Sequence, residues 1–268
     1  MHGWMVPQVS PSVDGRLAYA VLALNLHREP AFILAFGGGM LVEAQPYPYS
    51  LNLEAAALLI IDMQRDFLEP GGFGEMLGND VSQLRRTIEP NKALLGAWRE
   101  AGGLVIHTRE GHRPDLADLP PAKKIRGRGA TCIGDPGPMG RILVRGEAGH
   151  DIIPELYPAA GEPVIDKPGK GAFFATDLHA ILQNRGIAQL VVTGVTTGVC
   201  VNTTVREAND RGYDCLVVAD CCGSYFPEFH EMGLRMIAAQ GGIFGWVAPS
   251  ANVIAALAGV KVMKGAAK

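Results

Sequence analysis

The feature that most constrains the fold lies beyond residue 50, where short apolar runs recur at intervals between amphipathic segments. Six runs, Ala56–Met63, Gly103–Glu110, Pro163–Lys167, Gln189–Val195, Asp214–Asp220 and Gly242–Val247, are rich in Val, Ile or Leu and scarcely alternate with polar residues. A strand with one wet face alternates, whereas a strand covered on both faces reads as a continuous apolar run, the mark of a parallel sheet between helical layers. Helical patterns fill the intervals at Ile88–Ala101, Thr176–Arg185, Cys200–Arg211 and Pro227–Gln240, and Gly102, Gly186, Gly212 and Gly241 follow them as left-handed caps. This β-α order predicts an α/β three-layer sandwich with a central, mainly parallel six-stranded sheet.

Residues 1–50 lack such a period and contain Gly37-Gly38-Gly39 and Pro46-Tyr47-Pro48-Tyr49. The expected organisation is an N-terminal extension over 1–45, a single domain over 46–260 and a tail over 261–268. Met40, directly after the glycine run, is a candidate for the true start of translation, in which case residues 1–39 are expected to be absent from the native protein. One connection, Gly111–Glu162, is long and rich in Pro, Gly and charge, and long connections in compact domains tend to carry function.

Composition narrows the partners. A chain that is 48% hydrophobic, 19% charged and of net charge −3 buries a large core, which excludes a disordered protein. Its pI near 6.2 offers no basic face for nucleic acid. The longest apolar stretches, Leu17–Leu26 and Pro30–Val42, fall short of the roughly 18 residues of a membrane span. Leu17–Leu26 has the length of a signal-peptide core, but only Arg16 precedes it closely, with Asp14 beside it. Five cysteines without a C-x-x-C pair fit a reducing compartment, so a cytoplasmic protein with a small-molecule partner is expected.

In open α/β sheets ligands bind outside the carboxyl ends of the strands. Asp62 stands there after the first run, Asp166-Lys167 after the third, and Cys200 after the fourth, where a strand passes through GVTTGV into a helix. Asp62 interrupts LLIIDMQ and is explained either by use in chemistry or by bonding to a helix N-terminus. Lys167 alone also reads as a solvated strand-end lysine. A thiol at a helix N-terminus has a lowered pKa and, as thiolate, attacks a carbonyl carbon while backbone N–H groups of the turn receive the oxyanion. Burial as a small apolar residue is the alternative for Cys200 and the expected fate of Cys132, Cys215, Cys221 and Cys222.

LLIIDMQRDF (Leu58–Phe67), Lys167 and GVTTGVCVNTTVREANDRGY (Gly194–Tyr213) together resemble the isochorismatase-like cysteine hydrolase superfamily, over about Pro46 to Leu257. The resemblance implies a catalytic triad of Asp62, Lys167 and Cys200, a cis peptide at Val195–Thr196, and an oxyanion hole from the backbone N–H groups of Thr196 and Cys200. Within the superfamily, HTREGHRPDLADLP, IGDPGPMGRILVRGE, DIIPELYP, DKPGKGAFFATDL and QGGIFG are most similar to the biuret and triuret hydrolases. That likeness implies Phe67 as an apolar wall and Lys170 and Gln240 as substrate contacts. It also implies a cofactor-free, metal-free amidohydrolase of biuret, assembled as a homotetramer. Alternatives on the same triad are triuret, ureidoacrylate or an N-carbamoyl acid; a non-catalytic binding protein is the alternative of another class. Gly198 stands where family members carry Asp or Asn, which predicts a looser nucleophile turn.

Glu110-Gly111-His112 is similar to the Asp-x-His metal pair of nicotinamidases, but no second histidine follows at the expected distance, and Lys123, Lys124, Arg126, Arg128 and Arg141 would repel a cation. His112 is expected to bond within the long connection, His107 within its strand, and the basic residues to form a mixed-charge surface or subunit contact. Lys167-Pro-Gly-Lys170-Gly lacks the spacing of a phosphate-binding loop.

Overall fold

The apolar runs become strands because most of their apolar residues find cover on one face of the sheet or the other. The computed structural model describes residues 39–124 and 131–266, with side chains through residue 259. The strands are β1 (Met40–Val42), β2 (Tyr49–Leu51), β3 (Ala56–Ile61), β4 (Leu104–Glu110), β5 (Pro136–Gly137), β6 (Gly140–Arg141), β7 (Val164–Lys167), β8 (Gln189–Val195), β9 (Asp214–Gly223) and β10 (Trp246–Ala248). Six of them form the central sheet in the order β10-β9-β8-β3-β4-β7, and every pairing is parallel. The longer helices are α1 (Ile88–Ala101), α2 (Leu178–Asn184), α3 (Asn202–Asn209), α4 (Pro227–Gly242) and α5 (Ser250–Ala266).

Successive strand residues point to opposite faces, and the two apolar cores follow that alternation. Leu58 and Ile60 of β3, Val191 of β8 and Leu216 and Val218 of β9 face Leu94, Leu95 and Trp98 of α1 and Val253 and Leu257 of α5. Ala57, Leu59 and Ile61 of β3, with Leu190 and Val192 of β8, face Leu178, Leu182, Val205, Ala208 and Ile237 on the other three helices. All six residues of β3 are buried, as a central strand between two helical layers requires. The sheet is thus the predicted three-layer sandwich.

Several element boundaries shift by a few residues, β9 running to Gly223 among them, and three shifts bear on the organisation of the chain. The fold starts before residue 46, because Met40–Val42 pairs antiparallel with Tyr49–Leu51 and Gln45 bridges to Val247. The last strand is Trp246–Ala248 rather than Gly242–Val247: Gly242 and Gly245 have φ of 87° and 142°, outside strand geometry. A Cβ on Gly245 would stand 2.2 Å from the Cys215 carbonyl oxygen, so only glycine lets the chain enter the sheet there. The expected tail continues as helix to Ala266; at the start of that helix Ser250 donates N–H and hydroxyl bonds to Asp220, at 2.7 and 2.6 Å. The expectations for residues 1–38, including Leu17–Leu26, and for Arg126 and Arg128 lie outside the described residues.

Candidate active site

β3 and β8 lie side by side, yet the chain leaves them for opposite halves of the sheet: β4 and β7 continue on one side, β9 and β10 on the other. A crevice opens at such a reversal, at the carboxyl ends of the strands. Asp62 directly follows β3 with a left-handed φ of 52°, and Gly194 in β8 presses against it so closely that a Cβ there would be 2.0 Å from the Ile61 carbonyl oxygen. The Val195–Thr196 peptide is cis. A wide turn over Thr197–Val201 then carries Cys200 into α3, with the Val201 N–H reaching back to the Thr196 carbonyl at 3.3 Å.

Lys167 ends β7, two strands from Asp62, and its ammonium spans the gap: Nζ lies 2.8 Å from Asp62 Oδ2, with both side chains fully buried. Two backbone carbonyls, of Gly169 and Lys170, accept from the same Nζ at 3.0 and 2.9 Å. Thr108 orients the carboxylate, donating from Oγ1 to Asp62 Oδ1 at 2.6 Å.

Register places Glu110 beside Lys167. Its carboxylate is also fully buried, and Cys200 donates its S–H to Glu110 Oε2 at 3.5 Å. Lys170 Nζ meets the other oxygen, Oε1, at 2.7 Å, and Lys123, from the long connection, meets it at 3.4 Å. Gln64 locks the ends of β3 and β4 together, accepting from the Glu110 N–H and donating to the Glu110 and His150 carbonyls. Asp62, Glu110 and Cys200 bring ligand atoms within 4.8 Å of one another. The positive charge that such donors attract is supplied here by Lys167, 4.0 Å from Glu110 Oε2 as well as 2.8 Å from Asp62.

The profile of the isochorismatase domain matches residues 56–250, a span that contains every one of these side chains. The chain belongs to the isochorismatase family. Ureidoacrylate amidohydrolase RutB of Yersinia enterocolitica is 33% identical over 212 residues, 78% of this chain and 91% of that one. An isochorismatase family protein from Desulfovibrio vulgaris has a TM-score of 0.64 at 30% identity, covering 76% of this chain and 98% of its own. N-carbamoylsarcosine amidase from Thermoplasma acidophilum has a TM-score of 0.56 at 25% identity, covering 73% of this chain and 96% of its own.

Among these family residues the charges are unequal: three ammonium groups, of Lys123, Lys167 and Lys170, face two carboxylates. Burial pushes the Cys200 thiol up, Lys167 pulls it down, and Asp62 and Glu110 push it up again; the result lies well above the ordinary thiol range. The resting sulfur is therefore a thiol, not the thiolate that a helix N-terminus and a lysine predict, because burial and two carboxylates outweigh both. Burial also opposes ionisation of Glu110, but Lys167, Lys170 and Lys123 overcome it and hold its carboxyl at about 2. Lys167 stays charged, since its carboxylate neighbours, Asp62 foremost, outweigh the desolvation that burial imposes.

The remaining expectations divide. Phe67 lies in the short helix Arg65–Leu68 after Asp62 and packs against the main core and a small cluster of Leu119, Ile133, Ile142 and Leu143, so it borders the same strand edge. Lys170 reaches the cluster, on Glu110. Gln240 does not: it is exposed in the kink that ends α4, at φ 53°, just before β10 begins at the amino-terminal edge of the sheet. α4 runs back from the site edge, and this carries Gln240 away from Asp62, Lys167 and Cys200. Lys123 is not a surface charge, because it donates to the Pro168 carbonyl at 2.6 Å and to His112 Nε2 at 3.0 Å. His112 also bonds Asp118, and His107 bonds Glu162. The turn at Gly198 is braced rather than loose: Asn202 donates to the Thr197 carbonyl at 2.9 Å, and His230 Nδ1 lies 2.8 Å from Thr197 Oγ1.

Thr108, Gln64, Glu110 and Lys123 were not singled out from sequence as parts of this site. The strand-end rule that names Asp62 and Lys167 also names Glu110, the last residue of β4. Lys123 has no such signal, since it arrives from an irregular segment.

Proposed function

We propose that this family member is a cysteine-dependent amidohydrolase that cleaves a C–N bond of a small ureido substrate. The observation that carries the reading is the buried Lys167–Asp62 pair at 2.8 Å beside the Cys200 thiol. A protonated thiol needs a base at the moment of attack, and Asp62 offers a carboxylate oxygen within 4.8 Å of the sulfur. As Sγ bonds to the carbonyl carbon, its proton passes to Asp62 and the C=O π pair moves to oxygen, where the Thr196 and Cys200 N–H groups receive it. Collapse of this adduct breaks the C–N bond, and Asp62 returns the proton to the departing nitrogen, releasing ammonia. Water, deprotonated by Asp62, then attacks the thioester and frees the acid and the thiol. Lys167 and Lys170 pull toward the anionic sulfur and partly offset burial and the two carboxylates, which push the other way.

Among ureido substrates the site suits a neutral one, biuret first, giving allophanate and ammonia. A substrate carboxylate calls for an arginine, and the described arginines of the connection are engaged elsewhere: Arg113 with Asp115, Arg141 with the Pro114 and Gly134 carbonyls, Arg145 with the Gly111 carbonyl. Arg109 is held by Asp166 and Asp151. The second reading is ureidoacrylate, favoured by the 33% identity to an enzyme of that name. Triuret and N-carbamoyl acids belong to the same class. Four buried thiols, Cys200, Cys215, Cys221 and Cys222, suit a reducing, cytoplasmic location, and no helix of the described residues is long and apolar enough to cross a membrane. A homotetramer, to be read by sedimentation, is part of the same proposal.

The test is ammonia release from biuret, triuret, ureidoacrylate, N-carbamoyl amino acids and nicotinamide by the wild type and by Cys200→Ala. Turnover of a ureido compound that is lost in Cys200→Ala is expected. A wild type that turns over no member of the panel overturns the assignment.

A further inference from the structure

Attack by Cys200 requires a base, a cation to hold that base ionised, and oxyanion donors; Glu110 is none of these. It even works against the sulfur, since a second carboxylate at 3.5 Å disfavours the anion that must form. Nor does it suit carrying the proton to the leaving nitrogen, because Lys170 at 2.7 Å and Lys123 at 3.4 Å favour its ionised form and make it a weak base. What it offers is a permanently ionised acceptor, fully buried and fixed in direction.

Its two oxygens are used differently. Oε1 is taken by Lys170 at 2.7 Å and Lys123 at 3.4 Å. Oε2 faces the sulfur, where the thiol proton is its hydrogen-bond partner at 3.5 Å. Once the sulfur gives up that proton and bonds to carbon, Oε2 needs another donor. A nitrogen on the attacked carbon lies within about 3 Å of the sulfur by ordinary bond lengths, so one turned toward the carboxylate comes within hydrogen-bond reach of Oε2, itself 3.5 Å from the sulfur.

We propose that Glu110 is the specificity-determining acceptor of this site, taking an N–H of the carbamoyl nitrogen on the carbon that Cys200 attacks and so selecting substrates that end in –CO–NH2. The proposal rests on the amidohydrolase reading and deepens it. A carboxylate that has lost its donor in a buried site is costly, so a substrate lacking this N–H is rejected strongly. Lys170 and Lys123 hold the acceptor in place through Oε1; Lys170 therefore acts through Glu110.

The test compares wild type, Glu110→Gln, Glu110→Asp and Lys170→Met. Each is assayed on the best ureido substrate and on its analogue dimethylated at the carbamoyl nitrogen. Each is also treated with methyl methanethiosulfonate, an uncharged thiol reagent that has no amide to be read. In Glu110→Gln, kcat/KM for the parent substrate is expected to fall about 100-fold, mainly through KM, as for the loss of one charged hydrogen bond. Discrimination against the dimethyl analogue should shrink at least as much. The charges facing Cys200 are Lys167 and Lys170 against Asp62 and Glu110. Removing Glu110's negative charge therefore makes thiol modification faster at neutral pH while turnover becomes slower. Glu110→Asp, which keeps the charge, should retain slow thiol modification and recover part of the discrimination. A strut that only holds the two lysines would make turnover and modification fall together in Glu110→Gln, and that result overturns the proposal; Lys170→Met, which removes a cation and loosens the acceptor, is expected to slow both. Unchanged discrimination in Glu110→Gln, with an active wild type, overturns this role alone. An inactive wild type overturns the amidohydrolase reading itself.

Discussion

The strand ends that carry Asp62, Glu110 and Lys167 and the connection Gly111–Glu162 meet at Glu110, where Lys123 of the connection reaches its carboxylate, but they are held by different means. Ladder register positions the first set: Ile61 opposite Thr108 and Gly194, Glu110 opposite Lys167. The connection has little regular structure and is tied down by single side chains. Asp66 accepts the N–H groups of Leu143 and Phe73, Gln64 holds the His150 carbonyl, and His112 meets Asp118 and Lys123. Its own apolar cluster is small. Under the proposed function, the register-held floor would carry the common chemistry, and the connection would be where substrate range is most readily altered, through Lys123 and its contact with Glu110.

The comparison breaks first at Lys167. Lys167→Met leaves the fully buried Asp62 carboxylate without its cation, at a cost of about 3–5 kcal/mol. Thermal unfolding is expected on the order of 10 °C lower, with ammonia release abolished. A midpoint that stays put would mean that the floor does not depend on this ion pair.

The next effect is one of pH, and it lies in the connection. Burial holds the His150 imidazole at about 4, so the folded state refuses a proton that the unfolded chain accepts below about 6.5. The stability this supports is complete above that value and is lost as pH falls toward 4, by on the order of 3 kcal/mol. Urea midpoints at pH 7.5 and 4.5 check the sign, and His150→Gln should narrow the gap between them. His107, His112 and His230 are held down by burial as well, so a residual slope is expected.

The smallest effect sharpens the comparison most. Asp66→Asn turns one of two accepting oxygens into a donor that faces a backbone N–H, costing about 1–2 kcal/mol. Amide exchange should quicken at Leu143 and Phe73 while β3 and β8 keep their protection, and KM should rise a few-fold. Equal quickening in the strands would show that floor and connection open as one unit.

The difference in restraint also explains what was legible. Asp62, Lys167 and Cys200 sit at the ends of apolar runs, and a run states its own length, so their common edge follows from local pattern. Glu110 obeys the same rule, but the similarity of Glu110-Gly111-His112 to a metal pair drew the reading away from its strand-end position. From sequence Lys123 belongs only to a mixed-charge surface or subunit contact, because a lysine in an irregular segment gives no sign of what it reaches. Gln240 was placed at the site by resemblance, whereas the path of α4 takes it to the other edge of the sheet.

By itself the sequence determined the layers and the strand ends: β-α alternation, apolar runs without polar interruption, and capping glycines are local signals that need no knowledge of the partner strand. The order β10-β9-β8-β3-β4-β7, the meeting of Glu110 with a cysteine ninety positions away, and the protonated state of that thiol were decided only by the tertiary structure. Charge interactions depend on distance through space and on burial, and neither is written in the spacing of residues along the chain.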